Sequence, residues 1–152
     1  MMTIYDAAGG AAGMTRLATA WHVRAIADDV VAHAFSHGFR EDHIERLADY
    51  WTEALGGPAL YSSKFGSESF VVREHSGHGE HVEMDDRAID CFDQALVDVG
   101  LDADPRLAKV LHDYFEWATR RPMAEYPRDV ADVPDGLAFP RWSWDGLVAA
   151  AG

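Results

Sequence analysis

The sequence predicts an all-α domain of four principal helices followed by an irregular tail. Three observations carry that prediction. Apolar residues recur at helical spacing along four segments, each segment has a recognisable start or stop, and no alternating pattern competes with them. The nearest approach to a strand, "SFVVRE" at 69–74, is short and isolated.

The first helix is expected from about Thr15 to Asp28, where Met14, Leu17, Trp21 and Ala25 fall on one stripe with Ala18 beside them. "GFREDH" opens the second, with acidic residues where they favour the N-terminal end of the helix dipole. Its inner stripe reads His43, Leu47, Tyr50, Trp51 and Ala54, and "GGP" at Gly56 to Pro58 stops it. Residues 59–81 read as irregular or briefly helical. The third helix begins near Glu83 and is apolar over two adjacent faces, Met84, Ala88, Cys91, Ala95 and Ile89, Phe92, Leu96, Val99. An arc that wide belongs at the centre of a fold. Asp104 and Pro105 start the fourth, a side-chain cap followed by proline at the first helical position. Leu107, Val110, Leu111, Tyr114, Trp117 and Ala118 form its buried face. Beyond it, Pro134 and Pro140 keep the tail irregular, and Trp142 and Trp144 are too apolar to leave in water, so docking on the chain's own helices is expected.

The 152 residues are enough for one domain with a real core, and 48% hydrophobic content fits a globular chain. The net charge of −13 repels phosphate backbones and anionic lipid, which argues against nucleic-acid or membrane partners. No apolar run approaches a membrane span, and "MMTIYDAAGGAAG" resembles no export signal. The single cysteine fits a reducing cytoplasm, the expected location. Cys91 itself is expected in the core.

There is no phosphate-binding glycine loop, nucleophile elbow or paired-cysteine zinc pattern. The informative polar residues are histidines. His43 lies on an apolar stripe and His22 at the edge of one, where a hydrogen-bonded core histidine is the commoner case. "HSGHGEH" sets His75, His78 and His81 three apart. From spacing alone, His75 reads as a solvent-exposed loop residue. Two functional readings compete with that. One is a zinc or non-haem iron site made by all three histidines, with Glu80 and Glu83 nearby. The other is a planar cofactor between helices, ligated by one loop histidine and faced by apolar side chains and His43. His33 and His37 read as connector residues, and His112 has no assigned role.

The order of motifs resembles a truncated haemoglobin of the second group, within the bacterial-like globins. "IYDAAGG", "AWH" on the first helix, Phe35, "YWTEALGGPALYS" and a histidine sixteen residues before Cys91 carry the resemblance over about residues 4–121. "GGPALYS" followed by that histidine is its most specific part. The resemblance implies a two-over-two helical sandwich around haem b. By it, 1–127 form the haem domain, and 128–152 an added C-terminal extension packed on it. Matched residue by residue, His75 corresponds to the axial iron ligand, and Phe35, Leu47, Tyr50, Trp51 and Ala88 to cofactor-lining positions. His22 and His43 fall at distal, ligand-facing positions. Four departures stand out: Ala88 replaces a usual tryptophan, His22 a usual tyrosine, His78 stands where an aromatic is common, and "GSES" replaces a "GHP" segment. The implied function is reversible binding of oxygen or another diatomic gas. Redox work, as a nitric oxide dioxygenase or in peroxidase-like turnover, would need an electron-donor reductase. A homodimer is compatible with the resemblance. The alternative from a different class is a haem-free helical protein with the multi-histidine metal site.

Overall fold

The computed structural model describes residues 2–148 of the chain. The first turn, α1 (Ile4–Ala7), is closed by a capping box in which Thr3 and Asp6 bond each other's backbone amides. Its Tyr5 amide donates to the Leu55 carbonyl, pinning the N-terminus to the end of a later helix. Helix α2 (Gly10–Ala27) follows. It begins about a turn and a half before the expected start at Thr15, with Gly9 as its cap and Gly10 and Gly13 in its first turns. Gly13 has to be glycine, since a Cβ there would lie 1.9 Å from the Ala8 carbonyl oxygen. Asp28 ends α2, accepting from the amides of Val30 and Val31 and holding Arg87.

A single 3-10 turn (Val31–Phe35) leads to α3 (His43–Ala54). Two short helices, α4 (Leu60–Lys64) and α5 (Glu68–Glu74), occupy the stretch expected to be irregular or briefly helical. The strand-like "SFVVRE" is thus helical, started by Ser67, whose hydroxyl accepts from the Phe70 amide. Helix α6 (Val82–Asp98) and α7 (Pro105–Arg120) complete the fold, α7 capped by Asp104 as its sequence indicates.

α2 packs on α3 and on α6, and α6 on α7, which gives the two-over-two helical sandwich. At its centre Trp21, Trp51, Phe92 and Phe115 meet. The Phe92 and Phe115 rings stack 4.3 Å apart, and Trp51 meets Phe92 edge-on. Burying each such ring stabilises the fold by about 2–3 kcal/mol. Cys91 is buried beside them. No helix among the described residues is long and apolar enough to cross a membrane.

After α7 the chain runs back along α5. Val133 is buried there, and Phe139 packs on Tyr50 and Tyr61. A two-residue hairpin, β1 (Trp142–Ser143) with β2 (Gly146–Leu147), sets Trp142 against Tyr114 and Trp117. Trp144 lies beneath the Arg106 guanidinium, and its indole N–H donates to the Met2 carbonyl.

Candidate functional site

His75 caps the C-terminal end of α5. Its Nδ1 lies 2.8 Å from the Val71 carbonyl oxygen, one turn back along the same helix. A carbonyl can only accept, so the hydrogen sits on Nδ1 and the Nε2 lone pair is left free. Desolvation by the surrounding protein holds the His75 imidazole below its ordinary pKa, although the residue itself is exposed. Both conditions hold together for a side chain on the wall of an open cleft, surrounded by protein mass but open on one side.

Across that cleft stand His43, at the start of α3, and His22, on α2. Their Nδ1 atoms are 3.0 Å apart. Phe35 and Phe39 box the pair. Phe39 meets His22 edge-on at 4.6 Å, and Phe35 meets His43 at 5.2 Å. Burial, with His22 and His75 close enough to oppose a second positive charge, pushes the His43 pKa down to about 4. Burial lowers that of His22 as well. Both rings are therefore neutral near pH 7. The half-buried Ile44 and Leu47 continue the wall along α3.

The other sequence-predicted positions lie deeper. Trp51 belongs to the aromatic core. Ala88 is buried, and its carbonyl accepts from the Trp21 indole N–H at 3.1 Å. Tyr50 points its hydroxyl to Glu68, 2.7 Å away. Glu68 is nearly inaccessible, and burial pushes its carboxyl up to about 7. Tyr114, fully buried, has no partner for its hydroxyl among the described residues. Sequence reasoning missed Glu68 and Phe39. Phe39 had a signal, since it and Phe35 precede His43 by one and two helical turns. Glu68 had none, because an acid beside "SFVV" reads as the polar edge of a segment.

The three loop histidines part company. Gly77 and Gly79 both take left-handed backbone angles, and His78 is exposed. His81 does not run out to solvent as its place after those glycines suggests. It turns back onto α6 and bonds Asp85 at 2.8 Å, one helical turn on. Among the described residues, no three His, Cys, Asp or Glu side chains converge as a metal cage would require. Two open depressions, of about 260 and 290 Å³, lie elsewhere. Charged side chains make up part of each lining, Arg106, Lys109, Asp113 and Asp145 in one and Glu80, Asp85 and Arg120 in the other, and none of His22, His43 and His75 faces either.

The residues of the cleft fit a haem. The free imidazole nitrogen of His75 could ligate its iron, the apolar side chains could line its faces, and the His22–His43 pair would be the polar group nearby.

The family model of the bacterial-like globins matches residues 3–118. Among solved structures, the group II truncated haemoglobin of Bacillus anthracis superposes with a TM-score of 0.72 at 17% identity, over 88% of this chain and 98% of that one. A haemoglobin of the thermophilic phototroph Chloroflexus aurantiacus gives 0.70 at 24%, over 81% and 98%. A thermostable haemoglobin of the actinobacterium Thermobifida fusca gives 0.68 at 28%, over 84% and 100%. No curated protein matches the chain.

Proposed function

From the premise that the chain belongs to the bacterial-like globin family and is a haem-binding globin, we propose that it binds oxygen or another diatomic gas at a haem b iron held by His75. The haem supplies the iron at which such a gas binds reversibly and, given an electron donor, the redox chemistry of nitric oxide dioxygenation or peroxidase-like turnover. The observation that carries the reading is the free His75 Nε2 opposite the His22–His43 pair.

The protein's own contribution is orientation. The Val71 carbonyl holds the His75 hydrogen on Nδ1, which turns the ring and raises the basicity of Nε2. On the other side, the tautomers follow from counting hydrogens. A neutral imidazole carries one N–H. In a bond between two Nδ1 atoms, the donor ring has a bare Nε2 and the acceptor ring has its hydrogen on Nε2. The pair therefore offers one Nε2–H donor and one bare nitrogen. We assign the donor to His43, which is the ring coupled to His75 across the cleft. From there it would be able to donate a hydrogen bond to a bound gas. His22 holds the His43 ring in place through the Nδ1–Nδ1 bond. Phe35, Phe39, Ile44 and Leu47 keep water away.

Titration of the chain with haem, followed by absorption spectroscopy, tests the reading. One haem per chain with an imidazole-ligated spectrum supports it. A stoichiometric zinc or non-haem iron and no haem uptake would replace it with the multi-histidine site.

A further inference from the structure

The helix that bears His75 is gripped by a segment beyond the family match, which ends at residue 118. We propose that residues 126–137 form a strap that sets the rotation of α5, and with it the orientation of the His75 imidazole, through Ser69 and Arg73 as positioning residues. The proposal rests on the reading of His75 as axial ligand.

Ser69 and Arg73 lie one turn apart on a single face of α5. Val71 and His75 lie one turn apart on the opposite face, about 200° around the helix. Whatever holds the first face fixes the direction of the second. Ser69 is buried, at 2% exposure, and uses its hydroxyl twice. It donates to the Pro134 carbonyl at 2.8 Å and accepts from the Leu137 amide at 3.1 Å. Arg73 donates to the Val133 carbonyl at 3.1 Å and pairs with Asp135. Asp135 is almost fully exposed, so that ion pair contributes little. The orienting contacts are those to the strap backbone, seated by the buried Val133 side chain.

The exit from His75 is held by the same segment. The Gly77 amide donates to the Tyr126 carbonyl and the Gly79 amide to the Pro127 carbonyl. At Gly77 a Cβ would stand 3.1 Å from Val130, on a backbone already at φ +77°. The helix is therefore fixed along one face and at its end, immediately beside the imidazole. Elsewhere the tail is anchored without touching α5, by Arg141 donating to the Glu53 carbonyl. That contact provides an internal control.

The test uses the full-length haem-loaded protein and the iron–imidazole stretching band of its ferrous, ligand-free form, read by resonance Raman. Ser69→Ala and Arg73→Ala are expected to shift and broaden the band, because the ring samples several rotations. Arg73→Lys, which can still reach the Val133 carbonyl, should recover part of the shift. Arg141→Ala should lower the melting temperature and leave the band where it is. A band unmoved by Ser69→Ala and Arg73→Ala overturns the strap, as does an equal shift in Arg141→Ala. His75→Gly separates the two readings. If it abolishes the band and free imidazole restores one, His75 is the ligand and the strap is judged on its own variants. If the band survives, the axial-ligand reading fails and the strap proposal with it.

Discussion

The two sides of the cleft are built differently. His75 is bonded to a main-chain carbonyl of its own helix, and that helix is held along its outer face by another stretch of backbone. Among the described residues, the His43 and His22 side chains are bonded only to each other, inside a box of two phenylalanines borne by a 3-10 turn and the loop after it. Phe39, one wall of the box, is 53% exposed. A side chain fixed by backbone has a single favoured direction. Two side chains held only by each other have no backbone group to fix their direction, so the pair can turn together while its own bond stays intact. One side is thus suited to constancy and the other to accommodation.

The largest effect should come from removing the constant side. His75→Gly is expected to abolish the native imidazole spectrum, with added imidazole restoring it in part. The same titration on His78→Ala and His81→Ala should give spectra close to the parent. Equal losses in all three would erase the distinction between the rings.

Next in size is the response to pH in haem-free protein, where the two sides pull in opposite directions. His43 has a folded pKa of about 4 against an ordinary 6.5, so unfolding takes up a proton between those values and stability falls as pH drops from 6.5 to 4. Glu68, at the start of α5, has a folded value of about 7 against 4.5, so unfolding releases a proton and stability falls as pH rises from 4.5 to 7. Each contributes on the order of 2–3 kcal/mol, and between pH 4.5 and 6.5 they offset. Glu68→Gln should therefore expose a loss of stability towards acid, and His43→Leu a loss towards neutral pH. Urea unfolding at several pH values reads both. Parallel curves for the two variants would show that the groups do not titrate as their surroundings dictate.

A smaller effect is expected on oxygen release. His43→Leu removes one hydrogen bond to the bound gas, so release should quicken by about tenfold. His22→Leu should quicken it less, by loosening the His43 ring. Unchanged stopped-flow rates in the double variant would leave both histidines without a part in ligand binding. The smallest effect is on Cys91. Burial raises its thiol pKa, so a bulky thiol reagent should label the native protein slowly, and Cys91→Ala should keep its haem. Rapid labelling would place the cysteine on an opening surface.

The long helices were legible because each carries its own evidence. The Asp104–Pro105 start, the "GGP" stop and the wide apolar arc of α6 all stand in adjacent letters. α5 was hard to read because its stability comes from elsewhere. It has only seven residues, two of them adjacent valines, and Glu68 and Ser69 are buried by Tyr50 and by the strap. The identity of the candidate site followed the same division. His22 and His43 were visible as polar residues on buried stripes, but their mutual bond joins positions 21 apart, which no local spacing encodes. The His81–Asp85 bond, by contrast, spans one helical turn and was written in the sequence as a histidine four residues before an acid.

The strap has a consequence for the order in which this protein is made. The residues that grip α5 are 126–137, and the indole that closes on Met2 belongs to Trp144, 142 positions away. A chain emerging from the ribosome can lay down α2 through α7 before any of these contacts exists. Closing so long a loop is entropically slow and comes after the local helices are in place. The environment of His75 is therefore completed only once residues 126–137 have emerged and folded back on α5. The direction of its ring is settled after the helices have formed, not while they form.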